Sequence, residues 1–337
     1  MFTRRDALIG MALQCAASGF NAHAATSSAL KRIGILSRGS QQDEDNSDLE
    51  QALFESLRSK GWVEEKNLLV VRAYSGERDE LLPALAEDLV RSRVELILTG
   101  GHITTIAAAR ATSRIPIVFS NPLPFAVAQG LVESFARPGR NVTGATYESS
   151  GGKAAQFLRQ LMPSVRRRLA AVETHLWTRV ERLSGGLVDI QGPRREQMRA
   201  AGFETAEFFY RGDGDLVRVF AEIDQWQADA VAVSPIGIQD ALQSVELARR
   251  RKLASLFPWR QPVEAGGLLS YGPALISAAA LGRAAAPYVD RILRGADPAT
   301  LPVEMPTRWE LVINAKTAEN LGLSIPVALQ VSAEIVR

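Results

Sequence analysis

VEAGGLLSYGP, residues 263–273, predicts a short strand at a place where the chain crosses between two lobes. Its two adjacent glycines permit backbone conformations that residues with a Cβ rarely adopt. The two leucines predict a buried strand, and the closing Gly-Pro predicts its end and the start of a helix, because Pro is tolerated in the first helical turn. Ser270 and Tyr271 would then lie at the carboxyl end of a strand, where open α/β sheets bind their ligands. Taken alone, the segment favours a simpler interpretation, an ordinary strand–turn–helix joint with a buried tyrosine.

The rest of the chain alternates between apolar strands and amphipathic helices, and the alternation restarts near residue 148. The predicted strands of the first set are Arg32–Leu36, Asn67–Tyr74, Val94–Thr99 and Pro116–Ser120. Those of the second set are Leu169–Val172, Glu204–Phe209, Ala230–Val233 and Ala254–Phe257, with a helix predicted over Glu196–Ala201. Near-continuous apolar strands separated by helices are typical of parallel sheets buried on both faces. We therefore predict an α/β fold with two doubly wound parallel-sheet lobes.

The amino terminus has the pattern of an export signal. A basic start with Arg4 and Arg5 precedes an apolar run over residues 7–20, which is too short to span a bilayer, and small residues at 22–24 form a cleavage pattern. The adjacent arginines resemble the twin-arginine class, with a plain Sec signal as the competitor. Cys15 follows the bulky Gln14, where lipoprotein signals require a small residue, so we reject a lipoprotein. We predict a signal peptide over residues 1–24 and no membrane span in the mature chain.

Composition excludes several classes of function. The 337 residues suit two domains, and 39 basic against 37 acidic residues give a net charge of only +2, which disfavours nucleic acid as a partner. Removal of residues 1–24 also removes the single cysteine, so no disulfide, thiol nucleophile or cysteine metal site is expected. His102 and His175 are far apart in sequence. We predict neither a metal nor a cofactor.

The motifs of common enzyme classes are missing from the sequence. There is no phosphate loop, no three-glycine dinucleotide fingerprint after the first strand and no Gly-x-Ser-x-Gly elbow. The acidic run at residues 43–45 is interpreted as a solvated loop. No catalytic residue is predicted.

Polar and aromatic residues recur where predicted strands end, and this recurrence favours a binding site. The candidate ligand-binding residues are Ser37, Ser40, Gly101, His102, Ile103, Thr104, Asn121, Pro122, Trp177, Ser234, Pro235, Trp259, Ser270 and Tyr271. Each has a simpler interpretation: Ser and Thr cap helices without any ligand, and Trp177 fits a core as well as a cleft. The helix start at residues 101–104 would offer free N–H groups to a carboxylate.

Several segments in the same order resemble the tryptophan/tyrosine-type group of ABC transporter periplasmic substrate-binding proteins. The most specific are residues 263–273, ARPGRNVTG at 136–144, and LPVEMPT at 301–307 continuing into LVIN at 311–314. The spacing from Leu57 to Gly61-Trp62 and the run IPIVF at 115–119 fit as well. The resemblance covers the chain from Arg32 to about Val331.

The resemblance implies a periplasmic binding protein type I-like fold, in which two lobes close on a small solute by a hinge motion. Three crossovers are expected near 144–148, 266–269 and 302–306. The first lobe would comprise 31–145 plus 270–303, and the second 146–267 plus 304–337. Family cleft residues carry over to Ser40, to 101–104, to Ser234 and to Tyr271. An inner-membrane ABC permease is the implied partner, and the periplasm the implied location.

Two segments depart from the family pattern. Ser120-Asn121-Pro122 stands where the family usually has Gly-Asp-Pro, so the acidic group that would meet a ligand ammonium is missing there. Residues 173–179 replace an Asn-Pro-type loop. Arg179 or Arg182 would favour an anion if either entered the cleft, although a surface position is the ordinary interpretation of each.

We therefore expect the solute-binding component of an ABC transporter. Its first candidate ligand is an aromatic or branched amino acid, and its second an aromatic acid or other carboxylate. The alternative is a two-lobed ligand sensor that presents its closed form to a receptor or regulator. An enzyme on the same scaffold ranks third.

Overall fold

A computed structural model describes residues 30–40, 42, 44–120, 125–146, 151–163, 168–174, 179–189, 192–211, 215–234, 237–273 and 278–337. Among these residues, none of the helices combines the length and the apolar character that crossing a bilayer requires.

The first lobe is built on a parallel sheet of five described strands, in the order β2-β1-β3-β4-β5. Its strands are β1 (Lys31–Ser37), β2 (Leu68–Tyr74), β3 (Leu96–Thr99), β4 (Ile117–Phe119) and β5 (Val142–Gly144). Its helices are α1 (Glu44–Ser59), α2 (Leu82–Arg91), α3 (His102–Ala111) and, from later in the chain, α9 (Ala278–Leu293).

Both faces of this sheet are buried, as the apolar strands predict. On β3, Leu96 and Leu98 belong to the apolar cluster that contains α1 and α9, whereas Ile97 belongs to the cluster with α2 and α3. Alternate residues of a strand point to opposite faces, so one strand supplies two cores. α9 lies so close to α1 that a Cβ on Gly282 would collide with the carbonyl oxygen of Leu49.

The second lobe is built on a sheet of seven described strands, in the order β14-β13-β12-β11-β10-β6-β9. Its strands are β6 (Arg168–Thr174), β9 (Glu204–Tyr210), β10 (Ala230–Ser234), β11 (Ala254–Phe257), β12 (Leu269–Pro273), β13 (Trp309–Asn314) and β14 (Glu334–Val336). Its helices are α4 (Gly151–Leu161), α5 (Gly192–Ala200), α6 (Asp215–Trp226), α7 (Ile238–Arg250), α8 (Gln261–Glu264), α10 (Ala315–Asn320) and α11 (Val327–Ser332). The sheet is parallel except that β13 runs antiparallel to β12. A separate antiparallel hairpin, β7 (Arg179–Glu181) and β8 (Leu187–Asp189), follows β6.

The predicted position of the strand in residues 263–273 is wrong by a few residues. β12 pairs with β11 and β13 and so keeps residues 270–273 in the second sheet, whereas the prediction assigned 270–303 to the first lobe with a crossover at 266–269. Gly272 lies within the strand, and β12 passes so near Pro258 there that a Cβ at this position would strike the Pro258 carbonyl oxygen. The helix predicted to open at Pro273 is α9, which begins at Ala278; the chain between them lies outside the described residues.

Two of the segments that connect the lobes are bonded to each other. Ala145 forms a parallel bridge with Glu304, in which Thr146 N donates to Glu304 O at 2.9 Å and Glu304 N donates to Gly144 O at 3.1 Å. The hydroxyl of Tyr288, on α9, donates to Pro302 O at 2.8 Å and accepts from Glu304 N at 3.0 Å. Burial is the main cause that raises the pKa of Tyr288 above its ordinary value, so the hydroxyl keeps the proton that it donates.

Candidate ligand-binding site

The connecting segments join the carboxyl edge of the first sheet to the carboxyl end of β12 in the second. β5 leaves the first sheet at its carboxyl end and runs beside Glu304 on the segment that leads to β13. Pro273, at the carboxyl end of β12, pairs with Trp309, the first residue of β13, so the chain enters and leaves the second sheet at one edge. Ligands of open α/β sheets bind at such edges.

Three strands of the first sheet carry neutral hydroxyls at their carboxyl ends. Ser37, Thr99 and Ser120 stand at the ends of β1, β3 and β4, and all three are buried. Ser120 donates to Thr99 O from both its backbone N, at 2.9 Å, and its Oγ, at 3.1 Å. The edge is held by its own hydrogen bonds and places no charge among these three side chains.

The start of α3 is fixed to the end of β3 by two threonines. Thr104 and Thr105 donate from their hydroxyls to Gly101 O, at 3.0 Å and 2.6 Å, and the Thr105 and Thr99 hydroxyls lie 2.8 Å apart. Gly101 has φ +142°, a conformation that favours glycine. A Cβ at this position would meet no atom of the described residues within 4 Å. His102 and Ile103 are half-buried in the first turn of α3.

The carboxyl edge of the second sheet contains a buried ion pair. Nη1 of Arg194, on α5, donates to Oε1 of Glu173 near the end of β6 and to Oγ of Ser234 at the end of β10. The Glu173 side chain is 2% exposed and that of Arg194 is 16% exposed. Nε of Arg194 is buried and has no hydrogen-bond partner in the structure. A buried ion pair therefore distinguishes this edge from the hydroxyls at the ends of β1, β3 and β4.

The neighbours of Arg194 hold α5 in place. Gly192 N donates to Oδ1 of Asp189, at 3.1 Å, which satisfies a free donor at the helix start. Arg195 pairs with Glu207 at 2.6 Å and with Asp189 at 2.7 Å, and these hydrogen bonds, that of Glu207 first, raise the pKa of Arg195. Arg195 therefore ties α5 to β9 while Arg194 reaches β6 and β10.

A tyrosine and an aspartate complete this edge. Tyr210, buried at the end of β9, donates to Oδ2 of Asp240 at 3.1 Å. The same hydroxyl lies 3.5 Å from Ser234 O. β9, β10 and the first turn of α7 are thereby joined beside Arg194.

Ser270 and Tyr271 lie within β12 on opposite faces, rather than together at its end. Tyr271 packs edge-on against Phe157, with ring centroids 5.1 Å apart, and beside Trp309 at 5.4 Å. Ser270 is buried on the other face, in register with Phe257 and Val312, and its hydroxyl has no hydrogen-bond partner. The period of two along a strand separates them.

The remaining predicted residues divide into two groups. Ser40 is half-buried in the loop after β1, and Trp259 is half-buried in the bend after β11. Asn121, Pro122, Trp177 and Pro235 lie outside the described residues.

Within the described ranges, no group of His, Cys, Asp and Glu side chains is arranged to hold a metal ion.

The family described as "ABC transporter substrate binding protein" matches residues 44–174 and 225–337, and so covers both lobes. The chain belongs to this family. No curated protein sequence matches it significantly.

Solved structures share the fold of this substrate-binding protein. A conserved domain protein from Vibrio cholerae has 22% identity and a TM-score of 0.72 over 91% of this chain and 100% of its own. An ABC domain from Streptococcus pneumoniae, in complex with L-Trp, has 21% identity and a TM-score of 0.72 over 92% and 100%. An ABC transporter solute-binding protein from R. palustris, in complex with benzoate, has 14% identity and a TM-score of 0.60 over 87% and 84%. At these identities the likeness concerns the fold, which is the periplasmic binding protein type I-like fold predicted from the sequence.

The β7–β8 hairpin of the substrate-binding protein, which the sequence reading missed, touches the first lobe. Leu183 N donates to Gln129 O at 2.8 Å, and Nη2 of Arg110 donates to Arg182 O at 3.1 Å. Leu183 also packs against the apolar cluster of α2 and α3. Arg182, one of the two arginines considered for an anion, has an exposed side chain, and the side chain of Arg179 lies outside those described.

Arg194 is a second feature that the sequence did not predict. Predicting the helix from Glu196 leaves Arg194 in a loop, whereas α5 begins at Gly192. The signal was Pro193, because Pro is favoured in the first turn of a helix. Both the hairpin and α5 lie in residues 175–224, between the two segments that the family matches.

Proposed function

We propose that this substrate-binding protein captures a small organic solute with a carboxylate, either an amino acid or an organic acid, between its two lobes. The two carboxyl edges carry the proposal, because one supplies neutral donors and the start of α3 and the other supplies Arg194, Tyr210 and Ser234. Such a mixture of a few oriented polar groups is typical of small-molecule sites. The L-Trp and benzoate of the two structural neighbours both contain a carboxylate and an aromatic ring.

A thermal-shift screen with amino acids and with aromatic and aliphatic acids tests this proposal. A ligand that binds only the folded protein, at about 100 times its Kd, stabilises it by about 2.7 kcal/mol. We expect carboxylates to raise Tm and neutral sugars to leave it unchanged. A broad panel in which no compound raises Tm would contradict the proposal.

The protein binds its solute without transforming it. No catalytic residue is proposed, so the solute recovered from the complex should have its original mass after long incubation. Mass spectrometry that found a product would instead support an enzyme.

Delivery to an inner-membrane ABC permease from the periplasm completes the proposal. Deletion of the partner permease should abolish uptake of the solute, whereas unchanged uptake would contradict a transport role. Residues 1–24 would direct export, and cell fractionation should find the chain in the periplasm only when they are present. Replacement of Arg4 and Arg5 by lysine should block export if the twin-arginine route is used, and leave it unchanged if the Sec route is used.

A further inference from the structure

We propose that the Nε–Nη2 edge of Arg194 is the contact that binds the carboxylate of the solute. This proposal rests on the proposed function and makes it more specific. It assigns the acidic group of the ligand to the second lobe, whereas the sequence predicted that the start of α3, in the first lobe, would bind it.

The hydrogen bonds of Arg194 leave one edge of its guanidinium available. Nη1 lies on the Cδ side of the planar group, and it is this nitrogen that Glu173 and Ser234 engage. Nε–H and one N–H of Nη2 point in parallel on the opposite side, and this pair matches the two oxygens of a carboxylate. Neither Nε nor Nη2 donates to any described residue, and Nε is buried.

A buried donor without an acceptor requires a physical explanation, because folded proteins satisfy almost all such groups. Arg194 is also held rigidly, since two strand ends engage Nη1 and the adjacent Arg195 fixes the helix to β9. A rigid fork loses little conformational freedom when it binds a planar acceptor. Because Nη1 bonds to the ends of β6 and β10, the guanidinium lies at the carboxyl edge of the second sheet, where open α/β sheets bind their ligands.

The charge of the pair selects the class of acidic group. Glu173 is almost completely buried beside Arg194, so the pair is neutral as a whole before a ligand binds. A carboxylate adds one negative charge, whereas a phosphate adds between about 1.5 and 2 at neutral pH. The smaller charge fits a site in which one acidic group is already present. Glu173 and Ser234 act as positioning residues, since they orient Nη1 and leave the other edge to the ligand.

The contact lies in a part of the chain that the family model does not match. Arg194 lies in residues 175–224, outside both matched segments. Relatives can therefore share the fold and bind the acidic group of their ligands elsewhere.

The test compares each acid with its own amide. The probes are benzoate and benzamide, L-tryptophan and L-tryptophanamide, and L-leucine and L-leucinamide, with Kd measured by isothermal titration calorimetry on the full mature chain. We expect wild type to prefer the acid over the amide by at least about 30-fold. Arg194→Lys keeps a positive charge beside Glu173 but loses the two-pronged donor, so its affinity for the acid should fall about 10-fold or more, with little change for the amide.

Arg199→Lys is the matched control. It changes another arginine of the same helix, one with an exposed side chain, and it should leave both affinities unchanged. An unaltered acid-to-amide ratio in Arg194→Lys would overturn the contact while leaving the solute-binding function intact. Failure of wild type to bind any acid in the wider thermal-shift panel would instead remove the function and, with it, this inference.

A measurement on wild type covers the case in which Arg194→Lys does not fold. In a spectrum of ¹⁵N-labelled arginine side chains, the acid should make one Nε–H signal shift and exchange more slowly, and the amide should not. A crystal structure of the complex should show the carboxylate of the solute bound to Nε and Nη2 of Arg194. A carboxylate bound only at the start of α3 would overturn the proposal.

Discussion

The two carboxyl edges of this substrate-binding protein hold their buried polar side chains by different interactions. In the first lobe, Thr99, Thr104 and Thr105 bond to one another or to the nearby backbone and form a neutral edge between the end of β3 and the start of α3. In the second lobe, Glu173 and Arg194 place two opposite charges in a buried position. A neutral network is satisfied by itself, whereas a buried charge depends on its partner. The first edge is therefore robust to substitution, and the second is sensitive and selective.

The largest expected effect is on stability and comes from the buried ion pair of the second lobe. Arg194→Leu removes the guanidinium that pairs with the buried Glu173 carboxylate and should lower the free energy of unfolding by about 3–5 kcal/mol, measured with urea. The double variant Glu173→Leu/Arg194→Leu should recover most of this loss, because apolar residues can replace a buried ion pair at little cost. Equal stability of the single and double variants would show that the charge is not buried in solution.

The next effect concerns the connection between the two edges. Tyr288→Phe leaves Pro302 O without its donor and should cost about 1–2 kcal/mol. The pKa of Tyr288 is raised on folding, so the folded state holds its proton more tightly and the stability that it contributes is lost as pH rises above about 10. The alkaline loss of stability should be smaller in the variant; some should remain, because burial and Glu50 also raise the pKa of Tyr74. Identical pH profiles for the two proteins would contradict this account.

A smaller effect is expected on the neutral edge. Thr105→Val removes a hydroxyl that donates to Gly101 O, but Thr104 and the Thr105 backbone still donate to that oxygen. The loss of unfolding free energy should be about 1 kcal/mol. Thr99→Val combined with Thr105→Val should cost less than the sum of the two single changes, since the two hydroxyls meet each other. Strict additivity would show that they act independently.

The smallest effect tests the contact between the lobes. Leu183→Ser weakens the packing of the hairpin on the first lobe without changing either edge, and should reduce ligand affinity only a few-fold. Small-angle scattering should show a larger radius of gyration for the variant. Leu187→Ser is the control, because Leu187 is exposed on the same hairpin. Equal changes in both variants would contradict a specific role for Leu183.

The sequence predicts the two lobes well because their strands are nearly continuous apolar runs. β1, β3 and β6 lie close to where those runs predict them. Residues 270–273 of β12 were assigned to the first lobe because a crossover was expected at 266–269. β12 instead lies inside the second sheet, where its neighbour β13 comes from a distant part of the chain. Side chains alternate between the two faces of a strand, so the sequence by itself predicts that Ser270 and Tyr271 point in opposite directions.

The charged part of the candidate site was much harder to predict. Glu173 and Arg194 are 21 residues apart, and a hairpin of mixed polarity lies between them. A buried ion pair has no periodic pattern, since it depends on which strand ends come together in space. The neutral edge was easier, because its threonines follow a strand directly and open a helix.

The bridge between Ala145 and Glu304 has a mechanical consequence. Two chain segments that are bonded side by side form a ribbon, which bends readily across its plane and resists shearing within it. Tyr288 clamps one side of that ribbon to α9. The lobes should therefore rotate about a single hinge axis. Binding of a solute then has to stabilise only one kind of closing motion.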